Sequence, residues 1–160
     1  MKPIKLRIQA FGPFADTEEI DFTKLGNNPL FLINGPTGAG KSSILDAICF
    51  ALYGQTTGAE REAAQMRCDH SDMTLLTEVS LEFMLGEKLY RIRRAPTQAR
   101  SKSRGEGTTT QQAHAQLWEL DGSEQGRLIV SKSVSEANTQ IQTLIGLGVE
   151  QFRQVMVLPQ

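Results

Sequence analysis

The chain has 160 residues, a net charge of −1 and an apolar fraction of 39%, which are ordinary values for a one-domain globular protein. The near-neutral charge argues against a wholly basic nucleic-acid binder, and the two cysteines form no metal motif. No run is apolar enough to span a membrane and no signal-peptide pattern is present, so a cytoplasmic location is expected.

The first elements alternate between strands and turns. Apolar and polar residues alternate over residues 4–10, which predicts a half-buried strand. Residues 11–14 predict a turn, and residues 18–22 predict a second strand that pairs back on the first. A polar loop over 24–28 then leads to residues 30–33. That short unbroken apolar run predicts a strand buried on both faces in a parallel sheet.

A glycine-rich loop follows that predicted strand. Residues 35–42 match the pattern G-x-x-x-x-G-K-[ST] at every fixed position, and residues 43–53 predict a helix that Gly54 ends. Glycines let successive N–H groups turn toward an anion, and the helix N-terminus adds positive potential. The pattern therefore predicts a nucleoside triphosphate site, in which Lys41 reaches the phosphates and the Ser42 hydroxyl binds Mg²⁺.

The chain after Gly54 is predicted to form a meander of strands followed by helices. Residues 55–72 predict a loop of mixed charge with a short helix near 60–67. Residues 75–85 and 88–94 predict a hairpin, since Gly86 and Glu87 suit a two-residue turn.

The last third of the chain adds strands and a capped helix. Ser133 and Glu136 form the capping signature S-x-x-E, and Gly146 closes the helix that it opens. The remaining predicted elements are strands over 113–120 and 127–130, helices over 134–145 and 149–154, and a final strand over 155–158.

The segment over residues 95–112 differs from its surroundings. Polar and basic residues dominate it without apolar periodicity, which predicts a long, mobile hairpin loop rich in basic residues. Seven cations lie between residues 88 and 104: Lys88, Arg91, Arg93, Arg94, Arg100, Lys102 and Arg104. One hypothesis is that Arg100, Lys102 and Arg104 contact the DNA backbone, since phosphate neutralisation needs cations but no sequence code. The alternative is a solvated loop, with Arg91 and Arg93 packed along a strand face.

These elements predict an α/β protein of the P-loop NTPase class with an antiparallel β meander. No acidic residue follows an apolar strand where Mg²⁺ would need it, and no guanine-reading N-K-x-D motif occurs, which argues against a GTPase. Only two parallel strands are predicted. The chain is therefore expected to be an incomplete lobe, with further strands and catalytic groups supplied from elsewhere.

The sequence resembles the N-terminal ATPase lobe of the SbcC family, the large subunits of bacterial SbcCD nucleases, in the SMC-like branch of ABC ATPases. The resemblance rests on residues 6–14, 34–43, 45–54, 90–107 and 152–160, in that order and spacing. It implies that residues 1–160 form the N-terminal lobe of an ABC-type head. The residues that it implies bind ATP are Asn34, Gly35, Pro36, Thr37, Gly38, Ala39, Gly40, Lys41, Ser42 and Ser43.

The resemblance also implies roles and partners beyond the glycine loop. Gln160 would be the Q-loop glutamine, which approaches Mg²⁺ and the attacking water, and it would share catalysis with Lys41. A coiled coil and a C-terminal lobe, both absent from this sequence, would follow. The expected partners are that C-terminal lobe, a second head in a homodimer, an SbcD-type nuclease subunit and double-stranded DNA. The location implied is the nucleoid in the cytoplasm, without membrane attachment.

The expected function is ATP binding and hydrolysis that close two heads and gate the partner nuclease in DNA repair and recombination. Two alternatives stay open at this point. The chain could belong to a DNA-binding or assembly module in which ATP acts as structural glue with negligible turnover. It could also belong to another ABC-type ATPase such as a transporter subunit. His70 and His114 are isolated in the sequence and are interpreted as structural or solvent-facing.

Overall fold

The structure, a computed structural model, describes residues 1–26, 31–58, 63–102, 106–122 and 126–156. The strands in chain order are β1 (Lys2–Phe11), β2 (Phe14–Asp21), β3 (Glu78–Leu85), β4 (Lys88–Ala95), β5 (Gln98–Ser101), β6 (Thr108–Gln111), β7 (His114–Leu120) and β8 (Arg127–Val130). The helices are α1 (Lys41–Tyr53), α2 (Val134–Ile145) and α3 (Val149–Met156), with short 3-10 helices at Phe22–Leu25 and Ala63–Met66. None of the helices in these described ranges is long and apolar enough to cross a membrane.

Six of the strands form one antiparallel sheet in the order β2-β1-β3-β4-β7-β8. Its alternating sequence places Leu6 and Ile8 of β1 on the buried face, where they are completely covered, and Arg7 on the opposite face. The predicted antiparallel meander is confirmed. The hairpin at Gly86 is confirmed as well, because Leu85 pairs directly with Lys88.

Helix α1 covers the buried face of this sheet, and all its residues from Asp46 to Tyr53 are buried. The helix ends as predicted. Gly54 adopts φ +73° and its N–H donates to the Phe50 carbonyl at 2.7 Å, which is the left-handed ending that glycine favours. A helix buried over its second half is held by tertiary packing, so the start of α1 has a fixed position relative to the sheet.

Helix α2 begins at the predicted cap and packs against β7 and α1. The Ser133 hydroxyl accepts the Glu136 N–H at 3.2 Å, and Ala137 and Ile141 are completely buried on the predicted apolar face. The capping signature and the helix face are thus both confirmed.

We expect Ser133→Ala to lower the free energy of unfolding by about 1 kcal/mol, because the Glu136 N–H loses its acceptor at the helix end. Thr139→Ala, on the exposed surface of the same helix, is the matched control and should change it by less than about 0.5 kcal/mol. Urea unfolding measures both. Equal effects from the two substitutions would show that the cap contributes nothing.

The predicted buried strand at residues 30–33 is wrong where the structure describes it. Residues 31–33 form no strand, Leu32 is 86% exposed and Phe31 is 49% exposed. Leu30 lies outside the described residues. A strand needs a neighbour for its backbone hydrogen bonds, and none of the described strands runs beside this segment. The Phe31 ring instead packs near Phe22, with centroids 5.9 Å apart.

The predicted final strand over 155–158 is also wrong where it can be compared, since Val155 and Met156 end α3. Residues 157–160 lie outside the described part of the chain. All strand pairs among the described residues are antiparallel, so the expected pair of parallel strands is not found there. The helical pattern of Val149–Met156, with Glu150 in its first turn, extends further than predicted.

The basic segment after β4, predicted as a hairpin loop, contains regular strand pairing. Strands β5 and β6 pair from Gln98 with Gln111 to Ser101 with Thr108 and form a two-stranded ribbon. The Gln98 side chain anchors it: its Oε1 accepts the Thr77 N–H at 2.7 Å and its Nε2 donates to the Thr77 carbonyl at 2.9 Å. Gln98 and Thr77 are both buried. The Gln98 amide therefore makes the backbone hydrogen bonds to Thr77 that a neighbouring strand would otherwise make.

Candidate functional site

The glycine loop over residues 35–43 leads directly into α1. Gly38 and Gly40 adopt φ +85° and +87°, a region that other residues avoid, and Gly40 is the N-cap of the helix. The amides of the first helical turn have no acceptor within the helix. They therefore offer an anion a set of N–H donors at the positive end of the helix dipole.

Lys41 holds the loop in a curve. Its Nζ donates to the carbonyls of Gly35 and Pro36, both at 2.7 Å, so the ammonium lies inside the turn that the glycines make. A cation bonded to two carbonyls has a third N–H available for an anion. This arrangement places the positive charge where the sequence predicts the phosphates to bind.

The turn between β1 and β2 packs against the glycine loop. A Cβ on Gly40 would lie 2.9 Å from both Phe14 Cζ and Pro13 Cγ, closer than such atoms approach. A Cβ on Gly12 would lie 3.2 Å from the Ser43 hydroxyl. The sequence analysis identified residues 11–14 only as a turn, and no signal within that short segment indicated a contact with the glycine loop.

A bulge in β1 directs this turn. Ala10 adopts φ +48°, an uncommon value for a residue with a Cβ, where the pairing with β2 shifts register between Gln9 and Phe11. The Ala10 carbonyl accepts two hydrogen bonds, one from the Cys68 N–H at 3.1 Å and one from the Thr77 hydroxyl at 2.9 Å. These bonds fix the bend that brings the turn under the loop.

A cavity of about 750 Å³ lies beside the glycine loop. Its size falls within the range of about 300–1,000 Å³ that small-ligand sites occupy. The loop side contributes Gly38, Lys41 and Ser42, and the facing wall contributes Gln65, Arg67 and His70. That wall belongs to the mixed-charge segment after α1, where sequence reasoning found no motif.

Arg67 organises the facing wall. Its guanidinium donates to the Leu75 carbonyl at 2.8 Å and to the Asp72 carbonyl at 2.9 Å. Asp72 in turn accepts the Thr74 N–H at 2.7 Å, and hydrogen bonds to Thr74 lower the pKa of its carboxyl. These hydrogen bonds hold the backbone from Arg67 to Leu75 in one compact turn.

The residues beside the loop fit a nucleotide-bound Mg²⁺ better than a protein-held metal. The described residues contain no group of three His, Cys, Asp or Glu side chains able to hold a metal ion by themselves. Ser42 is exposed at the helix start and offers one hydroxyl ligand. Mg²⁺ commonly takes one or two protein ligands and fills its remaining positions with water and substrate phosphates.

The described structure covers Asn34 to Ser43, the predicted nucleotide contacts, as one continuous segment with Asn34 exposed at its start. Two other predicted site residues, Gln160 and Arg104, lie outside the described residues. Arg100 and Lys102, the other predicted DNA contacts, lie on the β5–β6 ribbon, and neither belongs to the cavity beside the glycine loop.

Arg94 has a structural position that the sequence analysis did not foresee. It is 2% exposed, and its guanidinium donates to the carbonyls of Ala51 and Leu52, both at 2.9 Å, at the C-terminal end of α1. Burial lowers the pKa of Arg94 to about 10. The cation satisfies helix carbonyls that have no intrahelical donor. The sequence analysis grouped Arg94 with the cations of a possible DNA-binding loop, and this grouping is wrong because the side chain is buried at the end of α1.

Three more of the seven cations belong to the sheet. Arg91 pairs with Glu82 at 2.8 Å, and Arg93 pairs with Glu78 at 2.6 Å on the face opposite α1. Lys88 pairs with Glu119 at 2.7 Å. The alternative interpretation, in which Arg91 and Arg93 pack along a strand face, is confirmed.

Helix α3 is attached to the end of α1. Arg153 donates from Nε and from a terminal nitrogen to the Thr56 carbonyl, at 3.0 and 2.7 Å, and pairs with Glu150 at 2.7 Å. The Tyr53 hydroxyl donates to the Leu147 carbonyl at 3.0 Å. The segment that leads toward Gln160 is therefore fixed to the helix that begins at the glycine loop.

Comparison with known proteins gives consistent matches along the whole chain. Residues 5–160 match the AAA domain family. A protein of Vibrio cholerae, named as the SbcC component of the nuclease SbcCD, is 59% identical over 162 residues, covering 100% of this chain and 16% of its own length. Proteins of the same name from Lactococcus lactis and Staphylococcus aureus are 43% and 39% identical, again over 100% of this chain and 15% of theirs. The chain thus spans about one sixth of the length of these relatives.

Proposed function

The chain belongs to the AAA domain family, and from this premise we propose that it is the ATP-binding lobe of an SbcC-type ATPase. The family resemblance that the motifs indicated is confirmed by relatives that match the whole chain. In the complete protein two heads would close on bound ATP, and this closure together with ATP hydrolysis would gate an SbcD-type nuclease that acts on DNA ends and hairpins. It would work at the nucleoid, in the cytoplasm.

The observation that carries the proposal is the position of Lys41 within the glycine loop. In the proposed site the amides at the start of α1 bind the phosphate oxygens, and the Lys41 ammonium neutralises the charge that grows on them. The Ser42 hydroxyl would hold Mg²⁺, which would supply positive charge to the phosphates.

The second part of the proposed site is Gln160, which would orient the attacking water and approach Mg²⁺. Support comes from α3, the helix that leads toward it, since Arg153 and Tyr53 attach that region to the end of α1. The acidic residues that a complete ATPase needs would come from a C-terminal lobe beyond a coiled coil. The second head of a homodimer would cover the phosphates.

The proposed test compares ATP turnover by the complete protein, together with its nuclease partner, and by residues 1–160 alone. We expect phosphate release from the complex that requires Mg²⁺. We expect only background release from residues 1–160, because the acidic residues that the proposed site needs are absent from it.

Chelation of Mg²⁺ with EDTA is the control for the complex. Turnover by residues 1–160 that Lys41→Ala removes would contradict the proposed division of the site between two lobes. ATP binding by the complex without any turnover would contradict hydrolysis and favour an assembly module in which ATP only holds parts together.

A further inference from the structure

Thr77 is a completely buried residue that immediately precedes β3. Its hydroxyl donates to the Ala10 carbonyl at 2.9 Å and accepts from the Arg67 guanidinium at 3.3 Å. A hydroxyl has a single proton to donate, and this one goes to Ala10. Thr77 is not among the described residues that line the cavity beside the glycine loop. It can therefore influence a ligand in that cavity only through its two partners.

The first partner, Ala10, sets the direction of the turn that packs against the glycine loop. Its φ of +48° is uncommon for a residue with a Cβ, and such a conformation persists only where surrounding contacts hold it. The turn that follows contains Gly12 and Pro13, and both of them line the cavity. The hydrogen bond from Thr77 thus stabilises the backbone conformation from which one side of the cavity is built.

The second partner, Arg67, belongs to the facing wall of the same cavity. Its backbone forms an isolated antiparallel bridge with Phe11, and the neighbouring Met66 carbonyl accepts the Gly12 N–H at 2.7 Å. Wall and turn are therefore joined through their backbones, and the Thr77 hydroxyl joins them a second time through side chains. One buried oxygen atom contacts both sides of the cavity.

The position of that oxygen is itself fixed. The Gln98 side chain accepts the Thr77 N–H at 2.7 Å and donates to the Thr77 carbonyl at 2.9 Å, so both backbone groups of Thr77 are held. A threonine side chain has one torsion, χ1, and its branching at Cβ restricts that torsion. With the backbone held, the hydroxyl has little freedom to leave its two partners.

We propose that Thr77 is a positioning residue for the nucleotide site, whose hydroxyl holds the turn and the facing wall in the conformation that binds ATP. The inference rests on the proposed function, which places the ATP phosphates at the glycine loop beside this cavity. Apparent affinity falls in proportion to the fraction of the protein in the binding conformation. Loss of the hydroxyl lowers that fraction, but it leaves Lys41 in place to act on the transition state.

The test is Thr77→Val in the complete protein with its nuclease partner, because valine keeps the shape of threonine and removes the hydroxyl. We expect the KM for ATP to rise about 2- to 10-fold, the factor that corresponds to one buried hydrogen bond. We expect kcat to change less than about 2-fold, because binding is lost equally from the ground state and the transition state. Equilibrium binding of labelled ATP should weaken by the same factor as KM.

Thr56→Val is the matched control. Thr56 is 1% exposed and its hydroxyl donates to the Gly58 carbonyl at 2.9 Å, and neither residue is among those that line the cavity. This variant should unfold at lower urea concentration but keep the KM for ATP. Thr77→Ser keeps the hydroxyl and should also keep the KM, although the lost methyl group lowers its stability. Thr77→Ala, which removes the hydroxyl without placing a methyl group against the Ala10 carbonyl, should raise the KM even if Thr77→Val does not fold.

Three outcomes would overturn the proposal. An unchanged KM in Thr77→Val or Thr77→Ala would show that the hydroxyl does not position the site. An equal rise in Thr56→Val would assign the effect to a general loss of stability, and an equal rise in Thr77→Ser would assign it to the methyl group. Absence of turnover in the unsubstituted complex would instead contradict the proposed ATPase function, and binding of labelled ATP would then decide the role of Thr77.

Discussion

Replacing Lys41 by alanine is expected to lower ATP turnover by the complete complex on the order of 100-fold or more, because a cation aimed at developing phosphate charge is removed. ATP binding should weaken as well, since the ammonium also holds the Gly35 and Pro36 carbonyls in the curve of the loop. The measurements are steady-state phosphate release and equilibrium binding of labelled ATP, made on the same preparation.

Lys24→Ala is the control for this substitution. Lys24 is a largely exposed lysine in the first 3-10 helix, and its carboxylate partner Asp21 is 4.0 Å away. It should change neither binding nor turnover. Thermal unfolding of Lys41→Ala tests whether the fold survives, and we expect it to, because the hydrogen bonds of the Lys41 ammonium go to the Gly35 and Pro36 carbonyls of the loop and not to the sheet. Turnover in Lys41→Ala equal to that of the unsubstituted protein would refute the assignment of the phosphate site.

Replacing Arg94 by methionine should have the largest effect on stability. We expect the free energy of unfolding to fall by about 3–5 kcal/mol, because the buried carbonyls of Ala51 and Leu52 lose a charged donor that methionine cannot replace. The total free energy of unfolding of a typical domain is only about 5–15 kcal/mol, so the variant would be close to unfolding. Urea unfolding followed by circular dichroism measures the change.

Arg93→Met is the matched control, one residue away on the opposite face of β4. It removes an ion pair between the exposed Arg93 and the buried Glu78, but Glu78 keeps Arg7 at 3.4 Å, so the free energy of unfolding should fall by only about 1 kcal/mol. Arg94→Lys should lie between the two, since one ammonium can reach fewer carbonyls than a guanidinium. Equal stabilities for Arg93→Met and Arg94→Met would contradict the role of Arg94 at the helix end.

Features that depend on neighbours in the sequence were predictable. The glycine loop, the cap at Ser133 and the hairpin at Gly86 each arise from a few adjacent residues with specific backbone requirements. The buried position of Arg94 had a signal that was overlooked. Tyr90 and Ile92 face the core, and a strand period of two places Arg94 on the same face.

Features that depend on distant partners were not predictable. The apolar run over 31–33 has the composition of a buried strand, but burial needs a neighbouring strand, and composition does not supply one. The ribbon over β5 and β6 depends on the Gln98 side chain finding the Thr77 backbone twenty-one residues away.

Helix α1 is held at both ends by side chains from other parts of the chain. Pro13 and Phe14 pack against its N-cap residue Gly40, and Arg94 donates hydrogen bonds to the carbonyls of its last turn. Its 13 residues span about 20 Å, and a backbone hydrogen-bonded over that length resists compression. The helix therefore moves as one rigid element. A displacement of the glycine-loop end of α1 would therefore be transmitted to β4 and to the segment of α3, which are attached to its other end.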